Sequence, residues 1–563
     1  MHQRRLKTIR VILALLFILA TSFVFIDFRE LLPHGLITGI TFLQFLPSVL
    51  NFFTTFSLVA AGFILILVLT ALFGRFYCSA ICPLGIFQDA VSWIRKKTKK
   101  KHRYRYGRPN NWWRYGFLVL PLLVLVVGKN LIGISMLDPY SIFGRIASDL
   151  FQPVYMWLNN RIAGVLEGMN VFFLYPEDIS PARGLTYVIP GFMLGLVIWF
   201  SFTRGRLYCN TICPVGTLLG LLSRISVFKI RMIEDQCTKC GKCAIACKAS
   251  CIRIKTLEVD FSRCVGCYNC ISVCPEDAIK YLPAAGSFTS FGPVDTVKPV
   301  DPSGPADTVK PVDPSGHGDL SGPDDPSGPD NPARREALTR MLATGAALSG
   351  FSLSAISQEA ETETEIENKI PTEVEPVKNF PVTPPGSLGL RHFTNRCTAC
   401  HLCVSVCPTS VLQPSLKEYG WSGILQPHMD YSTNYCNFEC TLCTDVCPTG
   451  AILSLASEAK KTTQMGQVQL ILENCVVYAE NTACGACSEN CPTQAVTMVP
   501  YREGLTLPEI VPEICIGCGS CEYACPVRPF KAIYVDGHQI HQKAQKPPEE
   551  KLEQPDMEEE FPF

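Results

Sequence analysis

Four long apolar stretches interrupt an otherwise polar chain, at residues 11–26, 49–73, 115–137 and 185–202. About 20 apolar residues cross a hydrocarbon core, so the second stretch predicts an outright membrane span. The first and last are shorter and need flanking residues to snorkel. The third carries Pro121 and Lys129, which a packed helical bundle tolerates. The expected fold is a membrane α-helical bundle of four spans, with room for a fifth. Basic residues set its orientation. The N-terminal MHQRRLKTIR and the run SWIRKKTKKKHRYRYGRPN are strongly basic, whereas residues 138–184 are mixed and include Asp138, Asp149, Glu167, Glu177 and Asp178. The positive-inside rule then puts the N-terminus, the basic loop and the chain just after Phe202 in the cytoplasm. Trp112 and Trp113 fall where an interfacial aromatic belt would lie.

After Tyr281 the pattern disappears. Residues 284–332 contain the unit DTVKPVDPSG twice, at 295–304 and 307–316, and Pro, Gly, Ser and Asp at that density predict an extended linker. Residues 333–358 begin with Arg334–Arg335 and a weakly hydrophobic Ala/Gly-rich run. This resembles a twin-arginine export signal, although Ala333 and Ala337 depart from the usual pattern, and a short linker helix is the plainer reading. Residues 359–389 read as a second polar tether and residues 543–563 as an acidic disordered tail. The remaining segments are residues 1–225 (the membrane domain), 226–283 and 390–542.

Composition changes this picture through cysteine, at 29 of 563 residues. Disulfide scaffolds of that richness are small secreted domains, so metal ligation is the expectation. The formal net charge is zero, which gives no reason to expect a nucleic-acid partner. In residues 226–283, Cys237, Cys240, Cys243 and Cys247 and then Cys264, Cys267, Cys270 and Cys274 follow the two-cluster ferredoxin run C-x2-C-x2-C-x3-C. The fourth cysteine of each run reaches the other cube. Cys274 is therefore expected with Cys237, Cys240 and Cys243, and Cys247 with Cys264, Cys267 and Cys270. Lys248 replaces the usual proline, and Cys251 is left over as a buried non-ligand. Residues 390–542 hold four further quartets, all closing on Cys-Pro: Cys397/Cys400/Cys403/Cys407, Cys436/Cys440/Cys443/Cys447, Cys475/Cys484/Cys487/Cys491 and Cys515/Cys518/Cys521/Cys525. Zinc prefers two separated pairs, and c-type haem on Cys397-Thr-Ala-Cys400-His401 would take two ligands from a run that continues unbroken.

The last four cysteines form an internal repeat, GRFYCSAICPLG with Cys78 and Cys82 and GRLYCNTICPVG with Cys209 and Cys213, each just after an apolar stretch. Two facing pairs supply four thiolates, enough for a seventh 4Fe-4S cluster at the membrane surface. A redox-active thiol pair, or packing at duplicated helix ends, is the alternative. Arg75 and Arg206 could offset the cluster's charge or serve as inside-facing anchors. His401 and His428 read as surface residues, and Asp27, Glu30 and His34 as interfacial ones, so no quinone site is located.

At these motifs the chain resembles two known families. Residues from the N-terminus to about 281 resemble NapH-type membrane quinol dehydrogenases. Residues from about 333 to 542 resemble NapG/MauM-type periplasmic ferredoxins, and the linker joins the two halves in one chain. The resemblance implies a multi-pass protein of the bacterial inner membrane, with one ferredoxin domain inside and the four-cluster domain in the periplasm. It implies oxidation of menaquinol or another quinol from the membrane pool, and electron delivery to a periplasmic reductase or c-type cytochrome. Maturation of a partner metalloenzyme, or service as a wire subunit in a larger respiratory complex, are the other functions it allows. By resemblance to four-cluster subunits of molybdenum reductases, the outer quartets are expected to exchange fourth cysteines in nested order, first with fourth and second with third; sequential neighbours are the alternative. No phosphate loop, catalytic triad or clear flavin fingerprint is present.

Overall fold

The computed structural model describes residues 4–29, 31–57, 61–98, 104, 106–177, 184–283 and 374–546. Glu30, the repeat linker, the twin-arginine-like segment and nearly all of the tail lie outside the described residues.

Helix α1 (Arg4–Ile26) covers the first apolar stretch in one piece. At 1.5 Å per residue its 23 residues extend about 34 Å, enough to cross a bilayer. The second stretch is not one helix. It breaks into α3 (Phe45–Thr55) and α4 (Gly62–Phe73), because Phe56 takes a left-handed conformation (φ 48°) that ends α3. Helix α2 (His34–Phe42) precedes α3 and makes a bent pair with it, at 104°. The third stretch likewise ends early, with α7 (Asn111–Gly128) stopped by left-handed Lys129. Helix α11 (Val188–Arg204) carries the fourth stretch in 17 residues. Two described helices are thus long and apolar enough to span a membrane, or three if the bent pair counts as one. Of the four spans expected, the described helices supply this smaller number by length and composition, with shorter apolar helices, α4 and α11 among them, in the remaining stretches. Leu16, Leu19, Leu120, Val127 and Phe192 are exposed on the outside of the bundle, as lipid-facing residues are.

Each Cys-x3-Cys-Pro motif folds alike. A short helix, α5 (Tyr77–Ala80) or α12 (Leu207–Thr211), carries the first cysteine, and α6 (Pro83–Thr98) or α13 (Pro214–Leu222) starts at the proline after the second. Proline suits the first helical position because its missing N–H would be unpaired there. Between α7 and α11, α9 (Pro139–Arg145) is capped by Asp138, whose Oδ2 accepts from the Ser141 N–H at 2.8 Å. It continues through a π-helical turn, Ile146–Phe151, into α10 (Gln152–Gly168).

The first ferredoxin module closes with β1 (Phe228–Met232) antiparallel to β4 (Ile279–Pro283), in register Phe228↔Pro283 to Met232↔Ile279. The second module is built on β7 (Thr463–Leu470) with β10 (Ile533–Lys543), and on two shorter hairpins, β5 (Leu412–Pro414) with β6 (Pro427–Met429) and β8 (Val496–Pro500) with β9 (Thr506–Ile510). Its start corrects one expectation. Residues 374–389 are not tether but part of this core: Asn379 and Phe380 donate backbone N–H groups to Asp536, and Val382, Thr383 and Ser387 are buried.

The modules meet opposite ends of α1. Lys7 Nζ donates to Ser272 Oγ of the first at 3.3 Å. Near the other end, Phe25 packs on Tyr140 and Phe143 of α9, beside Gly144, where an added Cβ would collide with the Cys400 carbonyl oxygen of the second module.

Candidate metal centres

All 29 cysteines are unbridged. In the first ferredoxin module, left-handed Lys239 and Gly241, and Gly266 and Tyr268, tighten the two loops; Cys243, Cys267 and Cys270 are buried, Cys237 and Cys264 half-buried and Cys240 exposed. One hollow is lined by Cys237, Cys240, Cys243 and Cys274, another by Cys247, Cys264, Cys267 and Cys270. Cys251 also lines the second, 3.5 Å from Cys247 sulfur to sulfur. Its hydrogen bond draws the Cys247 thiol down to about 7. The bonds to Cys247 and Cys264 push the thiol of Cys251 itself well up. On a cube Cys247 would be a thiolate, which leaves Cys251 to donate the S–H. Such donors stabilise the more negative, reduced state of a cluster. Cys251→Ala is expected to keep the iron count and lower one midpoint potential in an EPR-monitored titration; an unchanged potential would remove this role.

The second module pairs its quartets as sequential neighbours, not in the nested order expected from resemblance. Cys407 shares a hollow with Cys436, Cys440 and Cys443, while Cys397, Cys400 and Cys403 interact electrostatically with Cys447. Cys491 interacts in the same way with Cys515, Cys518 and Cys521, leaving Cys525 in one core with Cys475, Cys484 and Cys487. The hairpins explain this. Each is local, so each closes over two consecutive runs. The pairs then join through the Cys436 N–H, which donates to the Cys518 carbonyl at 2.9 Å.

The two Cys-x3-Cys-Pro motifs face each other, and Cys78, Cys82, Cys209 and Cys213 are all buried in one core. The repeat generates a reciprocal clasp. Arg75 Nη2 donates to the Cys209 carbonyl (3.0 Å) and approaches its own repeat's Cys78 sulfur (3.8 Å). Arg206 Nη1 donates to the Cys78 carbonyl (2.8 Å) and approaches the Cys209 sulfur (3.8 Å). Both guanidinium groups are fully buried, so neither is an inside-facing surface anchor. The Gly216 N–H adds a bond to the Cys213 sulfur at 3.2 Å. Four inward thiols with cationic and amide donors on the sulfurs fit a 4Fe-4S cube, whose charge and potential such donors set. Among the described residues, no group of three or more His, Cys, Asp or Glu side chains could hold a single metal ion.

The repeat also holds a signal that motif reading passed over. Gly85 and Gly216 occupy equivalent positions after the prolines. A Cβ at Gly85 would strike the Cys78 carbonyl and come within 2.7 Å of Arg206 Nη1. One at Gly216 would strike the Cys209 carbonyl and reach 2.9 Å from Arg75 Nη2. Lys248, the odd replacement for proline, is explained by Asp89. That carboxylate binds Arg206 (2.9 Å), Arg10 (3.0 Å) and Lys248 (3.4 Å). Burial alone would raise its carboxyl, but the three cations hold it below the ordinary carboxylate range. Lys248 therefore ties a cluster loop to the membrane domain.

Two histidines change role. His401 is fully buried. Its Nδ1 lies 2.7 Å from Asp149 and its Nε2 2.8 Å from the Leu425 carbonyl, so both nitrogens face acceptors. His428 is buried too. Around His401, Gln152 donates to the Ser405 carbonyl (2.7 Å) and Ser135 to the Thr398 carbonyl (2.5 Å). The segment 135–152 is therefore the seat of the second module. Asp27 is structural, accepting from the backbone N–H groups of Arg29, Leu31 and Leu32.

Comparison with known proteins agrees with this chemistry. The family of 4Fe-4S binding domains matches residues 55–101 and 185–233, the two halves of the internal repeat, and a second family of that description matches 257–280. Two families of 4Fe-4S dicluster domains match 396–452 and 482–528, each spanning two consecutive quartets. The ferredoxin-type protein NapF of Escherichia coli is 26% identical over 157 residues, 28% of this chain and 87% of NapF. The ferredoxin-type protein NapH of Haemophilus influenzae is 23% identical over 228 residues, 39% of this chain and 66% of NapH. An uncharacterized protein of Methanocaldococcus jannaschii is 32% identical over 96 residues, and the chain spans only 38% of its length. No solved structure matches.

Proposed function

We propose that this chain, a ferredoxin-type protein similar to NapH that carries several 4Fe-4S domains, is a membrane-embedded component of quinol dehydrogenase type that oxidises quinol and delivers electrons to a partner outside the membrane. Seven ligand sets would hold the cubes: the six described ferredoxin sets and Cys78/Cys82/Cys209/Cys213. The cubes supply one-electron carrier chemistry, and the chain fixes, shields and tunes them.

The observation that carries this reading is the contact path between the sets. Arg75 reaches both Cys78 and the Ser262 carbonyl, two residues before Cys264. Asn210, next to Cys209, donates to the Ala249 carbonyl between Cys247 and Cys251. In the other direction the Tyr208 hydroxyl donates to the Leu137 carbonyl, beside the Asp138 cap of α9, and α9 abuts Cys400. The path supports an electron-transfer protein, whether complete in itself, a wire subunit or the electron donor in maturation of a partner metalloenzyme. It also favours a second reading, in which a donor at the first ferredoxin module takes the place of quinol.

The deciding experiment places the protein in sealed vesicles. Menaquinol should reduce an impermeant acceptor on the side of the second module, with no soluble donor present. Reduction only when a low-potential donor is supplied to the first module would select the second reading.

The periplasmic placement of the second module takes Arg334–Arg335 as its export signal. Arg334→Lys with Arg335→Lys is expected to make the second module resistant to external protease in spheroplasts; identical digestion of mutant and wild type would refute export.

A further inference from the structure

We infer that a cavity at the start of α7 binds a phosphate-bearing anion. It measures about 430 Å³ and lies between the chain leading into α7, the end of α11 and the loops of the first ferredoxin module. Five arginines line it, Arg108, Arg114, Arg204, Arg206 and Arg263, and no carboxylate is among the described lining residues.

Three of these guanidinium groups are buried: Arg206 is 0% exposed, Arg114 1% and Arg263 6%. Each has used most of its fork. Arg206 holds Asp89 and the Cys78 carbonyl, Arg114 holds Ser262 through both terminal nitrogens, and Arg263 holds Asp260 and the Gly107 carbonyl. What remains is Nη2 of Arg206, Nε of Arg114 and Nη2 of Arg263, all buried and without a hydrogen-bond partner among the described residues. A buried donor left unpaired is costly, the more so when charged. The residues that carry these donors line one cavity together with Arg108 and Arg204, and no carboxylate among the described lining residues answers the five cations there.

Charge and geometry select the class. Asp89 and Asp260 already balance Arg206 and Arg263, but a neutral quinone would add no counter-charge for Arg108, Arg114 and Arg204, and no histidine or carboxylate is among the described lining residues to take a quinol's proton. A phosphate offers several acceptor oxygens and at least one negative charge, and guanidinium forks match it. The source can be an anionic phospholipid headgroup or a free phosphate. Position favours the headgroup: Trp112 and Trp113, at the start of α7, are 88% and 59% exposed, as residues of an interfacial belt are. That preference alone rests on the membrane reading, and the test involves no electron transfer, so the two can fail separately.

The full-length, cluster-loaded protein is examined by native mass spectrometry from nanodiscs of mixed phosphatidylglycerol and phosphatidylcholine. One phosphatidylglycerol per chain should survive delipidation, and the double variant Arg108→Ala/Arg204→Ala should lower its retention at least tenfold. Both residues are exposed, so iron content should not change. Arg263→Gln should act in the same way; if it loses iron, the rim variant decides. Delipidated protein is titrated calorimetrically with inorganic phosphate. Saturable phosphate binding without lipid retention supports the site and assigns a free phosphate. Absence of both, or retention unchanged in the rim variant, overturns the proposal.

Discussion

Cys78→Ser is expected to lower iron from about 28 to about 24 atoms per chain, four per cube across seven sets, and to abolish electron transfer from quinol to the second module. The thiol is buried with Cys82, Cys209 and Cys213, and among the described residues the contacts toward the sets on either side start from this core. The six ferredoxin sets should keep their EPR signals, since their sulfurs come from other segments. Unchanged iron and turnover would leave the four thiols as packing or as a redox pair. Gly216→Ala tests the same site without touching a ligand. Its methyl has no room between the Cys209 carbonyl and Arg75, so the clasp must open, and the same loss of about four irons should follow while a nearby exposed substitution has no effect.

Asp149→Ala is expected to loosen the second module from its seat. The carboxylate is the partner of the fully buried His401, and a buried N–H left unpaired costs about 1–3 kcal/mol, roughly a 5- to 150-fold shift in the docking equilibrium. Hydrogen exchange should rise together in segments 135–152 and 397–405, on the two sides of the contact, while β7 and β10 stay protected. Transfer into the second module should slow with all its clusters present. Exchange confined to the histidine loop would show that Asp149 orders that loop alone and does not hold the module.

The Cys-x2-Cys-x2-Cys-x3-Cys runs are legible because a cube needs sulfurs on one tight loop, and loop spacing is a local property. Hence the runs, the repeat at Cys78 and Cys209, and the crossing of Cys247 and Cys274 could all be read along the chain. The exchange partners in residues 397–525 could not. Either order satisfies the spacing, and only the hairpins β5–β6 and β8–β9, each closing over neighbouring runs, decide it. The apolar stretches likewise announced buried or lipid-facing helices, but hydropathy carries no backbone angle, so the break at Phe56 and the stop at Lys129 were hidden.

By itself, then, the sequence determined the chemistry: which side chains are ligands in waiting, and that thiolate sulfur is the donor. Tertiary structure decided the connections. Arg75 and Arg206 reach across the repeat, Lys248 finds Asp89 and His401 finds Asp149, at separations of 134, 128, 159 and 252 residues. Such pairs leave no periodicity and no motif. They arise when buried charges and buried N–H groups, costly to leave alone in a low-dielectric core, are brought to partners that folding alone places beside them.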